Sequence, residues 1–509
     1  MVNTDEIYFA EESESVNAAH NSWKVMIVDD EHDIHKVTLI ALHNFIYKGK
    51  GLFFINAYSA KDAEVLLKEN SDIALILLDV VMEEDNSGLK LIKYIRNQLN
   101  NQNVRIILRT GQAGLVPERD VILNYDINDY KEKRDFTSER LFSSIVSSLR
   151  AYEGLLKIEN ANVLLNNLLD SFIKSTASAL DEKSQYTTGH IRRVAELTCM
   201  IAEALSASNS EKWADFNLSK QEHDELRIAA WMHDIGKITT PEHIVDKATK
   251  LETIYDRIKV IKLRAEILKK EFMIELLNDK MQLLEDAQTE VNLDRLKKIE
   301  DEYAKKIKIL DDDVEFLIKS NNGVEFMEDS KIDKVKEIAH RKININGQHR
   351  PFLEDDEVYN LSIKSGTLTA QERDIIQNHA KLTIKMLSQL TWPDHLKRVT
   401  EFAGAHHETL SGKGYPNKLK EQDLSIQSRI IALADVFEAL TAADRPYKKG
   451  KTMVEVSKIL EFMIKDRHLD KDIVDFFVES GLAIVYAKKE LKEDQLHDFI
   501  YNGVKYALA

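Results

Sequence analysis

Three short, largely apolar runs near the start of this chain each lead to acidic or hydroxyl-bearing residues, the third through an arginine. The runs and the residues after them are 24–28 with Asp29 and Asp30, 74–78 with Asp79, and 104–108 with Arg109 and Thr110. Continuous apolar strands separated by helix-length segments are typical of a parallel sheet covered on both faces. Ligands of such sheets gather at the carboxyl ends of the strands. The pattern therefore predicts a doubly wound α/β domain with a functional edge.

The polar residues at this edge predict a magnesium site. The carboxylates of Asp29, Asp30 and Asp79 would repel one another without a cation, and Mg²⁺ prefers hard oxygen ligands. Residues 23–150 resemble the receiver domain of two-component response regulators. The resemblance implies a five-stranded parallel sheet, bound Mg²⁺ and a cognate sensor histidine kinase as partner.

The receiver resemblance also assigns individual roles. Asp79 is the phosphoacceptor, Asp29 and Asp30 bind Mg²⁺, Thr110 responds to the phosphoryl group, Lys133 matches the family lysine, and Tyr130 takes the aromatic switch position. Arg134 stands where the family usually has proline, and Gly111 where a small residue such as alanine is common. Neither departure touches the phosphorylation chemistry directly. A receiver fold that is never phosphorylated is the alternative.

A long helix is predicted after this domain. Residues 137–180 carry apolar side chains at helical spacing, contain no proline, and have Gly154 as their only glycine. We assign residues 151–180 to a linker helix that continues from the last receiver helix. Its apolar stripe is too long for one small domain to cover, which favours a homodimer through a parallel coiled coil. Packing of the stripe on the chain's own domain is the alternative.

Two adjacent histidines and a glycine-rich loop dominate the second half of the chain. His406 and His407 precede Glu408 and the loop from Gly412 to Pro416, while His233 and Asp234 begin the sequence HDIGK, and Asp435 lies in ADVFEAL. Imidazoles are common ligands of transition metals. Glycines let backbone approach a ligand closely, and Pro416 prevents a helix from continuing. A lone histidine pair would favour no metal site, but these three motifs occur together.

The combination of motifs resembles the HD-GYP family, metal-dependent phosphodiesterases of the HD superfamily that cleave cyclic di-GMP. The resemblance covers residues 181–509 and implies an all-α domain with two divalent transition metals, iron or manganese in preference to zinc or nickel. The implied metal ligands are His190, His233, Asp234, His379, His406, His407 and Asp435. Asp234 is the implied bridge and, with Lys237, a catalytic residue.

The same resemblance implies a substrate site. Its residues are Lys237, Gly414, Tyr415, Pro416, Arg445 and Lys448. One extra residue between Asp435 and the sequence DRPYK makes the placement of Arg445 and Lys448 less certain. The implied reaction yields pGpG, GMP or both, under control of receiver phosphorylation, with a diguanylate cyclase as a further partner. Hydrolysis of another cyclic dinucleotide and a non-catalytic receptor or docking module are the alternatives.

The number of metals depends on one position. Some HD-GYP members hold a third metal with a glutamate one helical turn before the first ligand histidine. That position is Tyr186 in this chain, and Glu182 lies a further turn back. Because a continuous helix rises about 1.5 Å per residue, Glu182 would lie about 6 Å too far away. We therefore predict two metals, with Tyr186 beside the site.

The family pattern is interrupted by a charged segment. Residues 251–365 lie between the HDIGK motif and the next family histidine, and apolar residues recur there at helical spacing. This spacing predicts an inserted helical hairpin. The simplest interpretation of its charged residues is a solvent-exposed face. The alternative is a functional role for the hairpin, as a lid or as an arm that docks a partner.

Composition limits the class of protein. The formal charge of −16 argues against binding to a nucleic-acid polymer, which usually needs a basic face. Cys199 is the only cysteine, so no internal disulfide can form, which favours a reducing cytoplasm. No apolar run reaches the roughly 20 residues that span a bilayer. Residues 1–22 are polar and acidic and are predicted to form a disordered tail.

Overall fold

The computed structural model describes residues 22–111, 125–133, 137–183, 189–285, 293–345, 347–443 and 450–508. The chain divides into two compact units, Met1–Leu169 and Asp170–Ala509. The predicted tail at residues 1–22 lies almost wholly outside the described residues, as do Arg134, Tyr186, Arg445 and Lys448.

Five parallel strands form the centre of the first unit. Its elements are β1 (Trp23–Val28), α1 (His32–Ala41), β2 (Leu52–Ala57), α2 (Ala60–Glu69), β3 (Leu75–Asp79), α3 (Ser87–Lys93), β4 (Arg105–Thr110) and β5 (Asp129–Glu132). The strand order is β2-β1-β3-β4-β5, and every pairing is parallel. This order reverses direction between β1 and β3, so the residues after these strands meet at a topological switch point. The predicted five-stranded doubly wound sheet is confirmed.

Both faces of this sheet are buried. Alternate strand residues point to opposite faces, so Met26 and Ile76 belong to one apolar core while Val25 and Leu75 belong to the other. Burial of each such side chain contributes about 1.5–3 kcal/mol. Two-sided burial explains why the strands are continuously apolar in sequence.

The predicted long helix, α4, runs from Ser138 to Lys183. Its first turns pack on the sheet, and Leu149 is buried in the second of the two cores. Farther along, large apolar side chains are exposed at heptad a and d positions: Ile158, Leu165, Leu168 and Phe172. Such a repeat is the seam of a coiled coil. The homodimer through this helix stays a prediction.

Helices make up most of the second unit. They are α5 (His190–Ser206), α6 (Lys220–Met232), α7 (Glu242–Val245), α8 (Ile258–Glu285), α9 (Leu293–Asn321), α10 (Asp329–Ala339), α11 (Asp355–Leu361), α12 (Ala370–Leu387), α13 (Val399–Gly404), α14 (Ile426–Thr441), α15 (Met453–Lys465), α16 (Lys471–Glu479) and α17 (Leu482–Glu490). A short 3-10 turn, Ile235–Thr239, follows α6. The predicted helical architecture is confirmed.

The inserted segment folds around a core of its own. Helices α8 and α9 pack along each other as the predicted hairpin. Leu268 of α8, Leu310 of α9 and Val335 of α10 share one apolar cluster with Phe352. The insertion is therefore a packed subdomain in which the hairpin is the longest part.

The second unit also contains strands that the sequence did not indicate. Two antiparallel hairpins are formed by β6 (Lys342–Ile345) with β7 (Gln348–Pro351) and by β8 (Phe499–Tyr501) with β9 (Val504–Tyr506). Strands of three or four residues are too short to give a reliable period-two pattern. Across the described ranges, no helix is both long and apolar enough to cross a membrane.

Candidate metal centre and receiver site

Residues from five separate stretches form the candidate metal centre of the second unit. His190 begins α5, His233 and Asp234 follow α6, His379 lies in α12, His406 and His407 follow α13, and Asp435 lies in α14. All are buried except His407, which is half-buried. The structure thus brings together all seven residues that the sequence proposed as ligands.

Three of the histidines are oriented by the same local hydrogen bond. Nδ1 lies 2.7 Å from the Ala230 carbonyl in His233, 2.5 Å from the Ile376 carbonyl in His379 and 2.6 Å from the Ala403 carbonyl in His406. A proton on Nδ1 leaves Nε2 with its lone pair. All three Nε2 atoms are buried and have no hydrogen-bond partner among the described residues. Bound metal ions would satisfy all three.

The two carboxylate oxygens of Asp234 face different histidines. Oδ2 lies 3.5 Å from Nε2 of His190 and 3.3 Å from Nε2 of His233. Oδ1 lies 3.3 Å from Nε2 of His379 and 3.9 Å from Nε2 of His406. A carboxylate that bridges two metals needs its oxygens disposed in this way.

Asp435 adds a second carboxylate to the cluster. Its Oδ1 lies 3.3 Å from Nε2 of His190, and its Oδ2 lies 4.0 Å from Nδ1 of His407. Two groups of candidate ligands result, one of His190, His233 and Asp234 and one of His379, His406 and His407. Mixed imidazole and carboxylate donors fit divalent transition metals.

Two members of the cluster have charge states that suit metal binding, whereas, against the effect of burial, Asp234, Asp435 and Glu438 raise the pKa of His190 well above its usual range, so a metal would have to displace a proton from that ring. Burial alone would raise the pKa of Asp234, but Lys237 and the imidazoles of His233 and His190 outweigh it and hold that pKa well below its usual range. Burial lowers the pKa of His407 to about 4. The carboxylate is therefore ionised and the His407 ring neutral at pH 7, which are the forms that bind metals.

Comparisons with known proteins agree with this geometry. Two family models, each described as an HD domain, match residues 187–337 and 355–473. The 3'3'-cGAMP-specific phosphodiesterase 2 of Vibrio cholerae is 30% identical over 503 residues, which cover 92% of this chain and 93% of that one. This chain belongs to the HD-GYP family.

Other relatives match shorter parts of the HD-GYP protein. A cyclic di-GMP phosphodiesterase of Thermotoga maritima is 33% identical over 138 residues, 27% of this chain and 36% of that one. A receiver domain structure from Clostridium thermocellum, at 25% identity and a TM-score of 0.22, covers 25% of this chain and 97% of that one. The receiver assignment rests on the strand order of the first unit, not on this overlap.

Glu438 is a residue of the HD-GYP centre that the sequence reasoning missed. It is buried in α14, where Oε2 accepts a hydrogen bond from Nδ1 of His190 and Oε1 accepts one from Nε of Arg193 at 2.6 Å. The contact fixes the His190 ring with Nε2 toward Asp234 and Asp435. A signal was present, because Glu438 lies three residues after Asp435 and so shares its helical face.

Replacement of Glu438 by glutamine is expected to weaken metal binding about 10- to 100-fold. The amide cannot hold the His190 proton as a carboxylate does, so the ring loses its fixed orientation. Metal retained after dialysis against a graded chelator measures the effect. Glu479→Gln, an exposed change at the end of α16, is the matched control. Equal metal retention in both variants would contradict the role of Glu438.

The loop after His407 closes over the candidate centre. The Tyr415 ring lies against His407, with centroids 4.7 Å apart. Glu408, to which the sequence reasoning gave no separate role, is buried and accepts hydrogen bonds from the backbone of Asn417 at 2.6 Å and Leu419 at 2.9 Å. A Cβ on Gly414 would lie 2.5 Å from Cα of Glu408. The loop therefore needs glycine at this position to pack on the histidine pair.

The structure describes only some of the other predicted substrate residues. Lys237 lies at the cluster, with Nζ 2.5 Å from Oδ2 of Asp234. Pro416 follows Tyr415 through a cis peptide bond. Arg445 and Lys448 lie outside the described residues, as does Tyr186, so their predicted contacts stay predictions.

The receiver residues meet at the carboxyl edge of the sheet, as predicted. Asp29, Asp30 and Asp79 offer carboxylate oxygens within 4.8 Å of one another. Nζ of Lys133 lies 2.8 Å from Oδ2 of Asp79. Thr110 is buried at the end of β4, and Tyr130 packs at the edge of the core. This set fits a hard cation, whose identity as Mg²⁺ stays a prediction.

Two further charged residues contact this edge and were not predicted. Glu31 accepts a hydrogen bond from Lys133 at 3.0 Å, and Arg109 is buried with Nη2 3.3 Å from Oδ2 of Asp29. Burial raises the pKa of Asp79 despite the opposing contribution of Lys133. The contact of Arg109 was not predicted, because the sequence does not show that a charged residue near the end of an apolar strand is buried.

Proposed function

We propose that this chain is a metal-dependent phosphodiesterase that hydrolyses a cyclic dinucleotide under control of its receiver domain. The disposition of Asp234 is the observation that carries the proposal. Its two oxygens face separate histidine pairs, His190 with His233 and His379 with His406. A two-metal hydrolytic centre requires such a bridge. All seven proposed ligands are present, which argues against a non-catalytic receptor.

The chain's own residues would each perform one task in this reaction. Two divalent metals at these ligands would supply Lewis acidity and neutralise charge that develops on the phosphate. Asp234 would hold both metals, and Asp435 would complete the His190 side. Lys237, already 2.5 Å from Asp234, would donate to a phosphate oxygen, as would Arg445 and Lys448. Tyr415 would offer its ring to a base beside His407.

The substrate we place first is 3'3'-cGAMP. A relative named for that activity matches 92% of this chain, whereas the Thermotoga maritima relative named for cyclic di-GMP matches 27%. The first match extends through both units, while the second compares about a quarter of the chain. Cyclic di-GMP, the substrate that the sequence motifs suggested, is the second candidate.

The test is hydrolysis by purified protein of known metal content. Separate reactions with 3'3'-cGAMP, cyclic di-GMP and cyclic di-AMP, read by chromatography, give kcat/KM for each substrate and the identity of the product. We expect 3'3'-cGAMP to give the highest value. A preference for cyclic di-GMP would favour the second candidate. No turnover of any of the three with two metals bound would overturn the enzymatic proposal.

We propose that a sensor histidine kinase phosphorylates Asp79 and that α4 transmits the change. Lys133 is positioned to neutralise the added charge, since its Nζ already lies 2.8 Å from Asp79. The exposed seam of α4 would pair with a second copy, so phosphorylation could act through that pairing. A diguanylate cyclase stays a proposed further partner.

Asp79→Asn protein is expected to take up no label from a small phosphodonor. The amide oxygen is not a nucleophile toward phosphorus, and the other carboxylates at this edge would serve only as cation ligands. The measurement is acid-labile phosphate on intact protein with and without Mg²⁺. Asp85→Asn, at an exposed position between β3 and α3, should label like the parent. Full labelling of the Asp79 variant would move the phosphorylation site elsewhere.

A further inference from the structure

The end of α4 holds the turn that follows Asp234. Lys183 is the last residue of α4, and its Nζ donates to the carbonyl of Lys237 at 3.3 Å, to that of Thr240 at 2.7 Å and to that of Ile238. An ammonium group has three donors, and here each finds a backbone oxygen. These carbonyls close the short 3-10 turn Ile235–Thr239, so Lys183 caps its carboxyl end.

The turn that Lys183 caps controls the position of Lys237. The Lys237 side chain leaves this turn and reaches back to Asp234, with Nζ 2.5 Å from Oδ2. The Lys237 amide donates to the Asp234 carbonyl at 2.9 Å, and the Thr240 amide donates to the Lys237 carbonyl at 3.0 Å. The carbonyl of Lys237 is thus shared between the turn and Lys183. Loss of the cap would loosen the backbone from which Lys237 extends.

Other residues of the same helix end contact the segments beside the candidate ligands. Ala177 and Leu180 form an apolar cluster with Ile191, next to His190, and with Trp231, two residues before His233. Asp181 accepts a hydrogen bond from the Gly189 amide at 2.9 Å. The last two turns of α4 therefore contact residues that are neighbours in sequence of His190 and His233.

We infer that Lys183 is a positioning residue for Lys237, so that the end of α4 forms part of the support of the phosphodiesterase centre. The inference rests on the proposed hydrolysis and adds to it a residue outside every motif of the HD-GYP pattern. Lys183 acts through the backbone carbonyls of the turn. It thereby connects the end of α4 to the residue proposed to hold the phosphate.

A double-mutant cycle tests the inference. Lys183→Met is expected to lower kcat/KM about tenfold, since small displacements of a positioned group have effects of this order. Because it acts through Lys237, the double variant Lys183→Met/Lys237→Met should be no less active than Lys237→Met alone. Lys183→Arg, which keeps donors to the carbonyls, should restore most of the activity. Lys174→Met is the control, because Lys174 lies on the same helix and pairs only with Asp170 at 3.0 Å in the described residues.

Two readouts separate this role from a merely structural one. Metal content should be the same in Lys183→Met and parent protein. Amide hydrogen exchange in residues 235–240 should rise in both variants that carry Lys183→Met, and should stay at the parent level in Lys174→Met. The inference would be overturned if the double variant lost kcat/KM by the product of the two single-variant factors. It would also be overturned if amide hydrogen exchange in the turn were unchanged in Lys183→Met. The exchange measurement needs no substrate. If the parent protein hydrolyses no cyclic dinucleotide, the proposed function is refuted, and hydrogen exchange in residues 235–240 still tests whether Lys183 holds the turn.

Discussion

Replacement of Asp234 by alanine is expected to lower cyclic dinucleotide hydrolysis at least about a thousandfold. The residue offers one oxygen to His190 and His233 and the other to His379 and His406, so its loss affects both proposed metals at once. Asp435 also approaches both histidine groups, but its Oδ2 reaches only His407, at 4.0 Å, whereas each oxygen of Asp234 lies within 3.9 Å of two histidines. Metal analysis should show that both metals are weakened, in contrast to a variant of one terminal ligand.

Two comparisons make this result specific. His233→Ala removes a ligand of one group only and should leave more metal bound than Asp234→Ala does. Asp215→Asn, at an exposed position in the same part of the chain, should behave like the parent. Asp79 labelling should survive in all three variants, because the receiver core does not include these residues. Undiminished turnover by metal-verified Asp234→Ala protein would refute the bridging role.

The receiver fold could be predicted because its strands are short, buried on both faces and followed by polar residues. Those three features specify a parallel sheet and place Asp29 and Asp79 at one edge before any long-range contact is known. Helix α4 could also be predicted, since a run with apolar residues at helical spacing, no proline and one glycine favours a continuous helix. The hairpins β6-β7 and β8-β9 were not, because tertiary packing rather than local pattern selects such short strands.

The candidate ligands could be identified from motifs, whereas the residues that orient them could not. His190 and Glu438 are 248 positions apart and nothing local links them. Lys183 lies in a helix whose pattern says only that it is amphipathic, and its three acceptors are backbone atoms, which leave no trace in a sequence. Support of a site by packing and by carbonyl contacts is therefore visible only once the fold is known.

Replacement of Gly236 by alanine is expected to lower hydrolysis at least about a hundredfold. The added methyl group would move the ligand group of His233 and Asp234 away from the group of His379 and His406. A Cβ at this position would lie 2.0 Å from the carbonyl oxygen of His379 and 2.7 Å from the amide nitrogen of Thr383. Both are backbone atoms of α12 and cannot turn aside, so the turn after Asp234 must shift. That shift breaks the hydrogen bond from the Gly236 amide to Oγ1 of Thr383, now 3.0 Å.

The same displacement should destabilise the fold by about 1–3 kcal/mol, the usual effect of overpacking. It would also lengthen the 3.3 Å approach between Asp234 and His379, on which a shared pair of metals depends. Gly154→Ala is the control: nothing lies within 4 Å of its added Cβ inside α4, so hydrolysis should persist and stability rise by up to about 1 kcal/mol. Chemical denaturation and kcat/KM measure the two effects. Parent-like turnover in Gly236→Ala would mean that the metal centre tolerates separation of its halves, and the close contact between the turn and α12 would then have no catalytic role.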